Sequence, residues 1–461
     1  MNSPATIWGR EYRGATLGFF GLGFMVAYSF AAVTTAMPQA ASELNGLPLY
    51  GLAFGITMAT SVISMTLAAL WIDRSGPQIP LLTGVGIYVV GMLLSAFAPT
   101  MELLVAARAL TGFGSGLDSV ALYVCIARVF PAYLRPKMFG ALAMAWLLPS
   151  IVGPALSGIV TDHFGWRWVF GTVPVLALVA MALVLQGTRG SGMNRPVEIA
   201  ESSTPDTRRP LSARPWWKPA WAVVASASVL LLGDASTMDS PWSLPELLAA
   251  VALLATAINI LLPRGTWRGA KGLPSLILMR GLMGTAFTIA DVYLPLYMID
   301  QRGLPAWLAG LSLTVGGVTW AVGAWLSGRG TLRPRQLLRW GAGFMVLGML
   351  IAALVLIPGW PVWIAWVGWA AGGLGIGLAY PTQSVLVLGD SAPSEQGANA
   401  SALQLSETLL TSTMLAVVGA VFAALLAFGE AGYVMAFGVA CALGLCTLLV
   451  SRRAGALPSA A

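Results

Sequence analysis

Apolar residues along the chain fall into blocks long enough to cross a bilayer, separated by short polar breaks. The first six blocks cover about 15–37, 48–72, 79–99, 103–126, 138–161 and 167–186. A break rich in Arg, Pro, Ser and Glu follows at 187–215. Two further blocks, at 216–234 and 243–262, read as a hairpin. Six more follow at 274–298, 304–327, 337–358, 361–388, 398–427 and 430–451. A spanning helix needs ~20 apolar residues, and lipid offers the backbone no hydrogen-bond partner, so each block is predicted to be a transmembrane helix. The first hairpin member is short and ends at Asp234, so a re-entrant or interfacial pair is the alternative for those two.

The count is six, two, six. The predicted fold class is an all-α polytopic membrane protein of 14 transmembrane helices with both termini cytoplasmic. Its parts are an N-terminus (1–14), a six-helix bundle (15–186), a cytoplasmic linker (187–215), a two-helix insert (216–271), a second six-helix bundle (272–451) and a tail (452–461). Arg10 and Arg13 precede the first block as they would a signal peptide. Its apolar stretch exceeds the usual h-region, however, and the even helix number needs it retained.

Composition agrees with the pattern: 57% of the 461 residues are hydrophobic and 9% charged. That leaves too little polar surface to cover a soluble globule, which excludes an ordinary cytosolic enzyme. The net charge of +7 would suggest nucleic acid in a soluble chain. Here 21 of the 25 Lys and Arg fall in segments assigned to the cytoplasm, Arg108 and Arg280 fall inside spans, and Arg167 and Arg302 lie outside. This is the positive-inside bias, and no nucleic-acid partner is expected. Parity supports the count, because removing one helix would move several basic clusters to the other side.

Cys125, Cys441 and Cys446 all sit in apolar stretches and suggest no disulfide or metal framework. A single histidine, His163, cannot build a multi-histidine zinc site. No phosphate-cradling G-x-x-x-x-G-K-[ST] loop is present, so energy must come from an ion gradient or from the substrate's own gradient. Neither a cofactor nor enzymatic activity is expected. The partners expected are a small-molecule substrate, protons and the lipid bilayer, with the chain acting as a monomer.

Four segments carry recognisable patterns. ALWIDRSGPQ (69–78) sets Asp73, Arg74 and Gly76 in a tight turn after the second block, where Gly allows the turn and a carboxylate can face a helix N-terminus or an arginine. GAWLSGRG (323–330) is a degenerate counterpart in the second half, with Ser327 at the Asp position. RALTGFGSG (108–116) places Arg108 within a span, either to serve a buried role or to snorkel to the nearby outer interface. PSIVGPALSG (149–158) combines Gly153, Pro154 and Gly158, which permit close helix approach and a bend, and WRWVF (166–170) follows it.

Together these segments resemble the major facilitator superfamily. The pairing of the Gly-Pro segment with Trp-Arg-Trp resembles its fourteen-helix drug:proton antiporters. Departures are Ala69 for a leading Gly, Gln78 for a basic residue, and Pro149 and Ser157 for glycines. Ser29 also stands where relatives often carry an acid, nine positions before the Met37-Pro38 step. The resemblance implies alternating access between two six-helix bundles, with Asp73, Arg74, Gly76, Gly153, Pro154 and Gly158 as conformational motif residues.

With Ser29 in that position, a proton-carrying carboxylate must lie elsewhere. The acids inside spans are Asp118, Asp291 and Glu407. An ionised carboxylate is penalised in low dielectric, so each could bind and release a proton near neutral pH. Asp291 lies eleven residues after Arg280, on the same helix face but about 16 Å away. Arg108 and Asp118 point about 80° apart, so they are not expected to pair. Glu407 shares a polar stripe with Gln404 and Thr411. The order of preference for proton coupling is Asp291, Glu407, Asp118. Arg108, Arg280, Tyr28, Phe287, Tyr293, Trp320, Trp366 and Gln404 are the candidate cavity residues.

The expected function is proton-coupled export of amphipathic small molecules from the cytoplasm across the plasma membrane, as in drug or toxin efflux. The alternatives are export of a lipid or of a secreted metabolite such as a siderophore, then a nutrient:proton symporter, and last a non-transporting sensor.

Overall fold

The computed structural model describes residues 6–131, 133–189, 220–221, 223–225, 227–228, 231, 243–263, 265–329, 332–389 and 396–454. The described residues are helical, with short 3-10 turns and loops and no strand. The first half contains α1 (Arg13–Glu43), α2 (Tyr50–Ser75), α3 (Gln78–Ala96), α4 (Met101–Val129), α5 (Arg135–Phe164) and α6 (Trp166–Gly187). After α7 (Ser243–Leu261), the second half contains α8 (Leu273–Asp300), α9 (Ala306–Gly328), α10 (Pro334–Ala353), α11 (Trp363–Gly389), α12 (Gln396–Leu425) and α13 (Ala431–Ala454).

Among the described residues twelve helices are long and apolar enough to cross a bilayer, and they are the expected first six and last six. Within the insert, the second apolar block forms α7, whose apolar stretch is Leu248–Ala257. Most of the first block, and the linker from 190 onward, lie outside the described residues.

Several helices run past their apolar blocks, because a helix ends where capping permits and not where hydropathy falls. The clearest case is α1, which passes through Pro38 and ends at Glu43, six residues beyond the predicted 15–37. At the other extreme, α2 and α3 are separated by only Gly76 and Pro77. Gly76 has φ +77°, a conformation that L side chains rarely adopt, and it caps α2 while Pro77 leads into α3.

Arg13, at the start of α1, and Ala454, at the end of α13, lie at one end of the bundle, here called the terminal end. The halves meet toward the opposite, distal end, where α5 packs along α9 and α2 along α12. Gly158 on α5 lies so close to the Trp307 backbone that a Cβ there would clash with it. Gly51 on α2 approaches the backbone of Gly419 on α12 in the same way. Three described hydrogen bonds also join the halves in this region. Tyr50 Oη donates to the Val292 carbonyl (2.8 Å), and the Ala306 and Trp307 amides donate to the Asp162 carboxylate (3.0 and 2.9 Å).

Candidate functional site

The second half brings an arginine, a glutamate and a tyrosine from three helices into direct contact. On α8, Arg280, Gly284, Phe287 and Asp291 recur at spacings of four, three and four and so share one face. Arg280 Nε donates to Glu407 Oε2 of α12 at 2.7 Å. Tyr380 of α11 donates its hydroxyl to the other carboxylate oxygen, Oε1, at 2.9 Å. Its ring also receives the guanidinium, whose Cζ lies 3.5 Å from the ring centroid.

An unpaired guanidinium in hydrocarbon is costly, and here a carboxylate and an aromatic face both compensate it. The pair stays partly accessible, with the Arg280 and Glu407 side chains 13% and 27% exposed. Gly284 makes room for the arrangement. A Cβ there would come within 2.7 Å of Tyr380 Oη and 2.9 Å of Glu407 Oε1. Two further bonds pin α8 to α12, Thr285 to Thr411 (3.1 Å) and Ser406 Oγ to the Ile277 carbonyl (2.9 Å).

Aromatic rings continue from the triad. Trp320 of α9 meets Tyr380 edge-on at 5.8 Å, Phe287 meets Trp320 at 6.1 Å, and Phe287 stacks on Trp369 at 4.7 Å. The predicted residues Arg280, Glu407, Phe287 and Trp320 are therefore brought together. Trp366 is half-buried, and its indole nitrogen is buried without a hydrogen-bond partner among the described residues. Gln404, one turn toward the terminal end from Glu407, is exposed and stands outside the triad.

Tyr293, expected to line the cavity, is instead fully buried between Tyr50 (5.8 Å) and Phe422 (5.0 Å) near the distal end. It lies two residues past Asp291, off the Arg280–Asp291 face, and turns to the α2 and α12 contact beside Gly51, which it packs.

The other two acids stand apart from the triad. Asp291 is 9% exposed and forms no hydrogen bond or ion pair among the described residues. As the three helical turns between them imply, Arg280 does not reach it and pairs with Glu407 instead. Asp118 on α4 is 1% exposed, and neither of its oxygens has a hydrogen-bond partner among the described residues.

Arg108 on α4 is 3% exposed, with Nε 3.5 Å from the Ala53 carbonyl of α2. It turns into the bundle, and snorkelling to the interface is ruled out in this conformation. The glycines that follow it, Gly112 and Gly116, press α4 against α2, where Thr60 donates to the Ala109 carbonyl at 2.8 Å. Tyr28 of α1 stacks on Phe24 at 6.2 Å. It borders an apolar groove of about 440 Å³ with Pro149, Gly153, Leu156 and Leu176.

The motif residues serve as packing and capping devices. Gly158 and Pro154 of α5 abut Trp307 and Gly310 of α9, while Gly153 faces Tyr28 and Ala31 of α1. Arg74 is exposed beside the Gly76 turn; the side chain of Asp73 lies outside the described set. Trp166 Nε1 donates to Glu43 Oε2 at 2.8 Å, and Arg167 pairs with the same oxygen at 3.3 Å. The Trp-Arg-Trp segment thus ties α6 to the far end of α1.

Sequence reasoning missed Tyr380, Glu43 and Asp162. Glu43 was hidden because it follows the apolar block, and only the extra turns of α1 bring it to Trp166. Asp162 and Tyr380 have partners on other helices, which no local spacing reveals. The one available signal was an aromatic hydroxyl next to Pro381 inside a span.

Two six-helix halves that meet at one end, with a partly accessible charged triad held within the second, have the architecture of a secondary membrane transporter. The family model of the Major Facilitator Superfamily matches residues 19–414, and the chain belongs to that family. A probable multidrug-efflux transporter of Mycobacterium tuberculosis is 25% identical over 429 residues, spanning 87% of this chain and 85% of the relative. The multidrug transporter protein MdtP of Bacillus subtilis is 26% identical over 182 residues, 38% of this chain and 34% of the relative. Among solved structures, a peptide transporter POT in complex with sulfate aligns with a TM-score of 0.68 at 17% identity, over 95% of this chain and 94% of the other. A D-xylose–proton symporter aligns at 0.66 and 14% identity, over 96% and 98%. At such identities the structural likeness defines the fold alone.

Proposed function

We propose that this multi-pass membrane transporter exports amphipathic or hydrophobic small molecules in exchange for protons. The observation that carries the reading is the Arg280–Glu407–Tyr380 triad, a partly accessible charged centre held by three helices of one half. Proton binding to Glu407 weakens its hold on Arg280 and leaves the guanidinium free to find another partner. Deprotonation restores the pair. A group whose protonation changes inter-helix contacts is what couples a proton to a rocking motion. An inward-moving proton gains ~2.3 kcal/mol per 100 mV, enough to drive substantial uphill export.

Glu407 therefore becomes the first coupling candidate, ahead of Asp291 and Asp118, which have no cationic hydrogen-bond or ion-pair partner among the described residues. Phe287 and Trp320 meet edge-on near it, and we propose that this aromatic surface meets the cargo. The multidrug-efflux names of the relatives support the cargo class. By the charge asymmetry of the loops, the terminal end faces the cytoplasm and the distal end the outside. We further propose the full fourteen-helix count, the plasma membrane as location and a monomeric unit.

The test is pH-gradient-driven transport in proteoliposomes, with a panel of cationic dyes and neutral antibiotics. Substrate-dependent proton movement that Glu407→Gln abolishes supports the reading. Movement lost in Asp291→Asn or Asp118→Asn, with Glu407→Gln unaffected, transfers the coupling role. A lipid-like cargo is the second reading, favoured by the apolar groove between α1, α5 and α6. It predicts transport of a labelled lipid and silence toward the dye panel.

A further inference from the structure

We propose that the distal end carries two matching clasps, one in each half, whose side chains are positioning residues for the closure between the halves. Their role rests on the alternating access proposed above, in which the distal end must seal and part. In the first half, α1 ends on an acid, Glu43, and α6 opens on an indole, Trp166, whose Nε1 donates to Glu43 Oε2 at 2.8 Å. In the second half, α8 ends on an acid, Asp300, and the first turn of α13 carries a phenol, Tyr433, whose hydroxyl donates to Asp300 Oδ2 at 2.6 Å. Each carboxylate thus joins the first helix of its half to the last. An arginine adds a third element to each. Arg167 pairs with Glu43 at 3.3 Å and donates to the Ala98 carbonyl between α3 and α4. Arg302 donates to the Trp360 carbonyl between α10 and α11, the corresponding connection of the second half.

The halves reach this arrangement with different residues. Trp and Glu meet in one, Tyr and Asp in the other, and the arginines leave from α6 and from the connection after α8. Trp166 and Tyr433 are buried, so each donor needs a partner in place of water. Strength alone does not account for the clasps. The side chains of Arg167 and Glu43 are 45% and 44% exposed, and ion pairs so open to water add little stability. What such contacts fix is position.

Position matters here because of what lies beside each clasp. Across the halves, Asp162 accepts from the amides of Ala306 and Trp307 at 3.0 and 2.9 Å. Asp162 stands four residues before Trp166, across the Gly165 turn between α5 and α6. Ala306 stands four residues after Arg302, across the Gly303 turn between α8 and α9. One clasp therefore holds the turn that carries the acceptor of this latch, and the other holds the turn that carries its donors. Hydrogen bonds weaken steeply with misalignment, so both turns must be held for the latch to close. The clasps act through Asp162.

Spin labels at Leu103 and Phe428, exposed at the distal end on opposite halves and outside both clasps, read the closure. The full chain is measured in lipid nanodiscs without gradient or cargo, in a background lacking Cys125, Cys441 and Cys446. Glu43→Ala and Tyr433→Phe are each expected to raise the long-distance population about threefold. Glu43→Gln keeps an acceptor for Trp166 and should restore most of the closed population. Adding Glu43→Ala or Tyr433→Phe to Asp162→Ala should shift the distances no further than Asp162→Ala alone, because the latch is already gone.

Shifts that add in these double variants overturn the proposal, since the clasps would then act elsewhere. Wild-type distance distributions in both single variants overturn it as well. Phe keeps the Tyr433 ring packed on Tyr297 and Phe422, so Tyr433→Phe carries the test if Glu43→Ala does not fold. Closure is read without cargo, which separates the clasps from the exchange reading. The expected shifts in a protein that moves no protons would sink proton exchange and leave the clasps. Dye-for-proton exchange with unshifted distances would do the opposite.

Discussion

At the scale of single residues, the centre of the molecule is a charge that has found its partner. Arg280 would be expensive alone in a membrane helix, and Glu407 and Tyr380 make its position tolerable. The consequence is asymmetric: removing one member leaves the other charged and unpaired, whereas removing both is milder. Glu407→Gln is expected to lower pH-driven transport by at least tenfold, and the proteoliposome assay reads this directly. Gly284→Ala is a subtler test. Its Cβ would sit 2.7 Å from Tyr380 Oη, so the Tyr380–Glu407 bond must stretch or break. Losing one charge-assisted hydrogen bond is worth about 1.5–3 kcal/mol in a partly buried setting, and roughly a tenfold drop in transport with retained folding is expected. Wild-type transport in Gly284→Ala would show that this bond is dispensable.

At the scale of elements, the distal contact between α5 and α9 is where the proposed alternating-access cycle requires the halves to part. Asp162 accepts from the first two amides of α9, groups that have no partner within their own helix. Gly158 lets the two backbones close. Asp162→Ala removes the cap and is expected to shift the equilibrium toward the distally open state by about fivefold, corresponding to about 1 kcal/mol. Spin labels at Phe97 and Phe428, both exposed at the distal end of opposite halves, would read this as a larger long-distance population. Gly158→Leu should act in the same direction and more strongly, because backbone must move to admit the side chain. An unchanged distance distribution in both variants would remove this contact from the gating mechanism.

Element boundaries also show where sequence patterning stops being informative. The blocks at 15–37 and 398–427 correspond to α1 and α12, but hydropathy could not reveal that α1 continues to Glu43. That last stretch ends in Ser42 and Glu43, and Glu43 is held by Trp166 and Arg167, which lie more than a hundred residues away. The Gly-Pro segment was legible as a close-packing face, while the identity of the helix it packs against was not.

At the scale of the whole molecule, the two halves touch at one end and carry the triad in only one of them. Asp118 and Arg108 occupy the other half, ten residues apart on α4, with no described hydrogen bond between them. A prediction about topology belongs here. If the insert crosses twice, Met238→Cys in a background without Cys125, Cys441 and Cys446 should react with an impermeant maleimide on intact cells. Ser203→Cys should react only after permeabilisation. Protection of Met238→Cys would mean that the insert does not cross, and the count would fall to twelve.

The sequence by itself determined that this is a membrane protein of two six-helix halves, because each span must satisfy its own backbone and meet lipid with apolar side chains. Both requirements are local, so they are written in consecutive residues. It also singled out Arg280 and Glu407, since charge inside a span is rare and costly. Their union was decided only by tertiary structure, 127 positions apart in the chain and 2.7 Å apart in space. So were the roles of Tyr380, Glu43 and Asp162, and the burial of Tyr293 in the distal packing. Partner choice between helices depends on which faces pack together, and periodicity along one helix carries no information about the face of another.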